Sequence, residues 1–250
     1  SVSASVRSLE VAENLVVSSE ASLAFSQASQ ISGTLAMAGG DLTGAGTVTV
    51  TGALTWTGGR MSGTGATVIA AGGAAMLNAG AYSTLALDRA WINQGTVLWT
   101  GGSLMVQAGG SIENQAGAVF DARTGGSLGS EYGDTTGTFT NAGTFLKSAG
   151  TGPAYIGMPF DNQGSVEVQA GALSLTAGGT ISGAMAVAAG ASLSFSSYYS
   201  EEGGSEVYQF QSGSIVEGAG AVRFQSGTAH VNGGYTVSGQ TVISGGMVNF

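Results

Sequence analysis

The chain has 250 residues, 45 of them Gly and two Pro, with 43% hydrophobic residues, 8% charged residues and a net charge of −9. Ordinary domains carry about 7% Gly and about 25% charge, and disorder pairs low hydrophobicity with high net charge. This composition therefore describes a folded chain surfaced by Ser, Thr, Gly, Asn and Gln, with too few prolines for collagen, no Cys for disulfides or thiolate sites, and too few cations for a phosphate-binding stripe.

From the N-terminus, residues 8–19 offer the one candidate helical face, made by Leu9, Val11, Leu15 and Val16, but the segment reads better as strands. Residues 1–30 follow the later pattern poorly and are expected to be an N-terminal cap or a diverged coil, ahead of one continuous repeat domain over 31–250. Short β-rich runs then recur at 22–25, 47–50, 54–56, 97–99, 166–168, 173–175, 193–195, 222–224 and 241–243, separated by Gly, Ser, Asn and Ala-Gly pairs. The phrase Leu42-Thr43-Gly44-Ala45-Gly46-Thr47-Val48 returns 19 residues later from Met61 and again from Val216. Its G-x-G pairs open no helix, so a dinucleotide site is discarded. Thr47, Thr49 and Thr51 alternate as on a flat Thr array, but the run does not persist, so it reads as an ordinary solvent-facing strand.

The register is clearest in the middle. Trp91-Ile92-Asn93-Gln94-Gly95-Thr96-Val97 matches the segments beginning at Ile112, Phe139 and Phe160, and the asparagines Asn93, Asn114, Asn141 and Asn162 are 21, 27 and 21 residues apart. A period near 20 is the signature of stacked coils. Twelve coils of about 20 residues, each about 4.8 Å above the last, are expected. Stacking aligns Trp91, Ile112, Phe139 and Phe160 in one core column and Val97, Val119, Phe145 and Val166 in another. The four asparagines form a polar ladder at a turn, followed by turn glycines at Gly95, Gly117, Gly143 and Gly164. The fold class is all-β, a right-handed parallel β-helix.

The pattern breaks in three places: 123–136, 150–159 and 196–209. Loops on a rigid scaffold are where function concentrates. Tyr132, Asp134, Tyr198, Tyr199, Glu201 and Tyr208 are the candidate ligand-contact residues there, because Tyr beside carboxylates suits a glycan. A solvated loop whose tyrosines cover the core is the plainer reading. Glu113 and Asp161 share a column two coils apart, near the separation of an inverting glycosidase pair, yet no third acid or cation accompanies them. His230, the only histidine, alternates as an outward strand residue and has no metal-ligand partners. No catalytic residue, cofactor or metal site is expected.

Asn93-Gln94-Gly95-Thr96, the run from Phe160 to Val168 and Gly220-Ala221-Val222-Arg223-Phe224 resemble, over residues 31–250, the repeats of large bacterial surface proteins. These are filamentous-haemagglutinin-like adhesins and autotransporter passenger domains. The resemblance is one of repeat style. It implies an exported stalk, adhesin or matrix component at the cell surface, and carries over no catalytic residues. No 18-residue apolar run is present for a membrane span, no Asn-x-Ser/Thr sequon occurs, and no leader precedes Ser1, so the chain reads as a mature or excised piece. The last coil, strand-like to Phe250 without charge or proline, reads as uncapped. That predicts either an adjoining solenoid or end-to-end contact with another copy. The partners expected are therefore self, glycans or a surface receptor, with no nucleic acid.

Overall fold

The computed structural model describes residues 2–80, 83–107, 109–130, 137–197 and 206–250. Among them are 31 strands and no helix, all joined in one sheet whose named strand pairs are parallel. Each strand stacks on the equivalent strand of the preceding coil, which makes a parallel β-solenoid of about 11 turns with a period of about 21 residues. This agrees with the expected count of about twelve coils, two of which are longer than the period. Val97, Phe120 and Phe145 occupy successive coils, as do Met185 and Val216.

Three faces enclose the core. One starts at Val2–Val6 and runs through Ala21–Phe25 to Thr241–Ile243. The second starts at Glu10–Val11 and ends at Met247–Asn249. The third starts at Asn14–Ser18 and ends at Gly234–Val237. The longest strand, Ala53–Ile69, bends around corners and contributes to all three. Residues 8–19 form no helix but two strands, Glu10–Val11 and Asn14–Ser18, and residues 2–18 form the lowest coil of the same stack, with Leu15 beneath Leu35.

Alternation builds each wall. In Ser165–Val168, Val166 and Val168 point inward and are buried, while Ser165 and Glu167 face out. Stacking then converts sequence repetition into columns. Trp91, Ile112, Phe139 and Phe160 are in direct register and buried. Phe139 and Phe160 lie 5.1 Å apart, Phe120 stacks on Phe145 at 5.5 Å, and Trp56 stacks on Trp91 at 5.9 Å. Such pairs add about 0.5–1.5 kcal/mol beyond area burial.

One column is corrected. The residue between Val97 and Phe145 is Phe120, while Val119 pairs with Thr96 and Thr144 on the half-buried outer side. The cause is a tight turn in which Ala118 N–H donates to the Gln115 carbonyl at 2.9 Å, with Gly117 at φ 84°. That turn, residues 115–118, holds two residues more than its neighbours at 94–95 and 142–143, where the repeat pattern counts one, so the inward position falls on Phe120. Gly95, Gly143 and Gly164 do not have positive φ. They are needed because a Cβ would lie 2.1–2.4 Å from a carbonyl oxygen of the coil below.

At the upper end, Ile243 continues the buried column of Phe195 and Phe224 but is 54% exposed. Phe250 folds against Tyr235 at 5.2 Å and still remains 68% exposed.

Candidate functional site

The four asparagines end the strands Thr84–Asn93, Ser111–Asn114, Phe139–Asn141 and Phe160–Asn162, and all four side chains are fully buried. Asn93 Nδ2 donates to Asn114 Oδ1 at 2.8 Å, Asn114 to Asn141 at 2.7 Å, and Asn141 to Asn162 at 2.7 Å. Each amide also donates across the turn, to the carbonyls of Val119, Thr144, Ser165 and Ala184 at 2.9–3.1 Å. At the lower end, Asn93 Oδ1 accepts from Gly95 N–H at 3.1 Å. Both donors of every amide are satisfied inside the protein, as a buried amide requires. The ladder is therefore spent on coil-to-coil contact and offers no donor to a ligand. Below it the same column holds Val50 and Ile69, and above it Ile181, Phe210 and Val231.

Glu113, Thr140 and Asp161 stack outward in one column. Asp161 Oδ1 accepts the backbone N–H of Thr180 at 2.8 Å, and Glu113 Oε1 accepts Gln115 Nε2 at 2.9 Å. Both carboxylates thus brace neighbouring chain. His230 lies outward between buried Ala229 and Val231, and its Nδ1 is 3.1 Å from Asn249 Nδ2. Among the described residues no three His, Asp or Glu side chains gather as a metal cluster. Thr49 stacks on Gln30 and under Val68, so no Thr array forms.

Of the candidate loop residues, Tyr132, Asp134, Tyr198, Tyr199 and Glu201 lie outside the described residues. Tyr208 is corrected: it belongs to the core, 1% exposed, with its ring edge-on to Phe195 at 5.1 Å. Its hydroxyl lies 2.7 Å from the carbonyls of both Leu175 and Ser196, and burial pushes its pKa well above the usual phenol value. The ring fills the space over Gly179, which has no side chain to offer. Glu206 bonds the Ser197 hydroxyl beside it.

Sequence reasoning missed two buried cations. Lys147 is fully buried in the inward position beneath Val168, and its ammonium donates to the carbonyls of Ala149 and Gly150. Burial lowers its pKa, opposed by the charge of Asp121. Asp121 is buried too, and accepts Arg123 Nε at 2.6 Å and Ser148 Oγ at 2.7 Å. Arg89 is fully buried at a corner and bonded to three carbonyls. The available signal was position: Lys147 falls two residues after inward Phe145, where alternation demands another inward side chain.

On the third face a shallow groove crosses the wall at the coil Ala184–Val187. Its floor is Ala186, and Glu167 and Glu217 occupy the same outward position one coil below and one coil above. Gln169 donates to Glu167 at 3.0 Å.

These features define a repeat protein of the parallel β-solenoid class, held by an interior amide ladder and aromatic columns. Compared with known protein families, curated proteins and solved structures, the chain matches none.

Proposed function

We propose that this chain is an extracellular structural and adhesive rod, a right-handed β-helix segment of a surface stalk, adhesin or matrix fibre rather than an enzyme. The observation that carries the reading is where the polar chemistry goes. The ladder amides are consumed inside, and Asp161, Glu113 and Glu206 bond their own chain. What is left outside is a stiff wall of short polar side chains, roughly 50 Å tall at the spacing of stacked strands. The repeat style resembles exported surface proteins, which supports the same location.

In this reading coil stacking continues over the edge strand Met247–Asn249, supplied by further coils or by a second copy. An exposed edge of unpaired N–H and C=O groups templates such pairing, and contacts that do not close propagate into fibres. Mass by light scattering across a concentration series, with electron microscopy of the same sample, is the test. Concentration-dependent growth into rods is expected, and a strictly monomeric particle at every concentration overturns the self-stacking version.

A carbohydrate-contacting role has one observation in its favour, the Glu167–Ala186–Glu217 groove. Two strand spacings set the carboxylate-bearing positions about 9.6 Å apart, near the upper end of an inverting pair. Reducing-end release from a polysaccharide panel, abolished by Glu167→Gln and Glu217→Gln, would establish that role in place of the structural one.

A further inference from the structure

The G-x-G pairs at 44–46 and 63–65 form no ligand loop, yet they repeat at one corner of the solenoid, and the coil above shows why. Ser62 pairs with Asp88 and Ala66 with Ala90, so the three corner residues Gly63, Thr64 and Gly65 are answered by the single residue Arg89. The corner is cut short, and the Arg89 side chain runs into the interior across the coils beneath. Its Nη2 donates to Gly46 O at 2.7 Å and Ala66 O at 2.8 Å, and its Nη1 to Ser62 O at 3.3 Å. Gly46 is 43 residues earlier and two coils down.

Space for the cation exists because Gly65 has no side chain. A Cβ on Gly65 would lie 2.7 Å from Arg89 Nη2 and 2.2 Å from Gly46 O. Carboxylates do not supply the compensation: Asp88, the neighbouring acid, pairs instead with Arg60. The two terminal nitrogens of the guanidinium are solvated by backbone carbonyls of the two coils beneath, a fit for a planar cation with several fixed donors, while Nε is buried without a partner among the described residues. Burial lowers the Arg89 pKa to about 10, still high enough to keep it charged at neutral pH.

We propose that this corner is a guanidinium-binding slot, built by Ser62, Gly65, Ala66 and Gly46 and filled by the chain's own Arg89. The slot recognises a planar cation by the carbonyls of stacked coils, and the occupant ties three coils together where the corner shortens. Emptying it leaves a cation site open to a free ligand of the same chemistry.

The experiment uses Arg89→Ala in the full chain, with thermal unfolding followed by circular dichroism. Arg89→Ala is expected to unfold at lower temperature than wild type. Guanidinium at about 10 mM is expected to raise its midpoint by mass action, while leaving wild type unchanged. Sodium and urea at the same concentration are the controls. No rise with guanidinium, or an equal rise in wild type or with urea, overturns the proposal. Should Arg89→Ala fail to fold, Arg89→Lys decides. A single ammonium cannot span the three carbonyls, so a lysine variant as stable as wild type overturns the slot, and a destabilised one supports it.

Discussion

One interior column carries two chemistries. From Val11 through Ile31, Val50 and Ile69 it is apolar, from Asn93 to Asn162 it is an amide ladder, and from Ile181 through Phe210 to Val231 it is apolar again. The backbone register is the same throughout. The apolar stretches are held by volume and exclusion of water, which tolerate a slide; an amide ladder does not, because a shift would strand buried donors. The ladder spans the 27-residue coil between Asn114 and Asn141, the two ends of which it holds in register. The second long coil, between Ile181 and Phe210, has no amide. There Tyr208 takes the corresponding part, its hydroxyl bonding Leu175 of one coil and Ser196 of the next.

Four substitutions would break or sharpen this comparison. The largest effect is expected from Phe139→Ala, which empties the centre of the aromatic column and should cost about 3–5 kcal/mol in urea unfolding. Asn141→Leu comes next, at about 2–3 kcal/mol, because it strands the Asn114 amide and the Asn162 carbonyl oxygen without water. The sharper version replaces all four ladder asparagines by leucine. Removing both partners of each bond leaves fewer orphaned groups, so the cost should fall well below four times the single-site value. A strictly additive loss would show that each amide acts alone.

Tyr208→Phe should cost about 1–2 kcal/mol at neutral pH, measured the same way. Its alkaline behaviour is diagnostic. Burial raises the Tyr208 pKa above the unfolded phenol value, so its contribution is whole below pH about 10 and is lost as pH rises toward the raised value. Wild type should therefore lose stability relative to Tyr208→Phe through that window. The smallest effect belongs to Ile243→Ser. Ile243 occupies an inward column position but is half exposed, so the change should stay near 0.5 kcal/mol for the isolated particle, while weakening any end-to-end assembly seen by light scattering.

The coil period and the ladder were legible because identity recurs: Asn follows a large apolar residue by two positions in four successive coils. The rest of that column was not, because Ile69 and Ile181 share its geometry and none of its chemistry. Val119 was misplaced because the turn beside Gly117 holds two residues more than its neighbours where the repeat pattern counts one, and a strand's alternation cannot reveal its own phase. Arg89 and Lys147 escaped since cations ordinarily mark solvent; here backbone carbonyls replace water, and carbonyls carry no side-chain signature. Tyr208 was drawn into a loop by its acidic neighbours, while its own strand, Val207–Phe210, alternates it inward with Phe210.

The burial of Lys147 has a practical side. It is the chain's one lysine, so the only side-chain amine in the sequence is closed to solvent in the folded state. Acylating reagents and bifunctional crosslinkers aimed at lysine will find no side-chain target on the intact rod, and trypsin will not cut after residue 147 until its coil opens. The rate at which a small active ester acylates Lys147 thus counts openings in the middle of the stack, giving a clock for breathing at one coil inside a structure built from repeated ones.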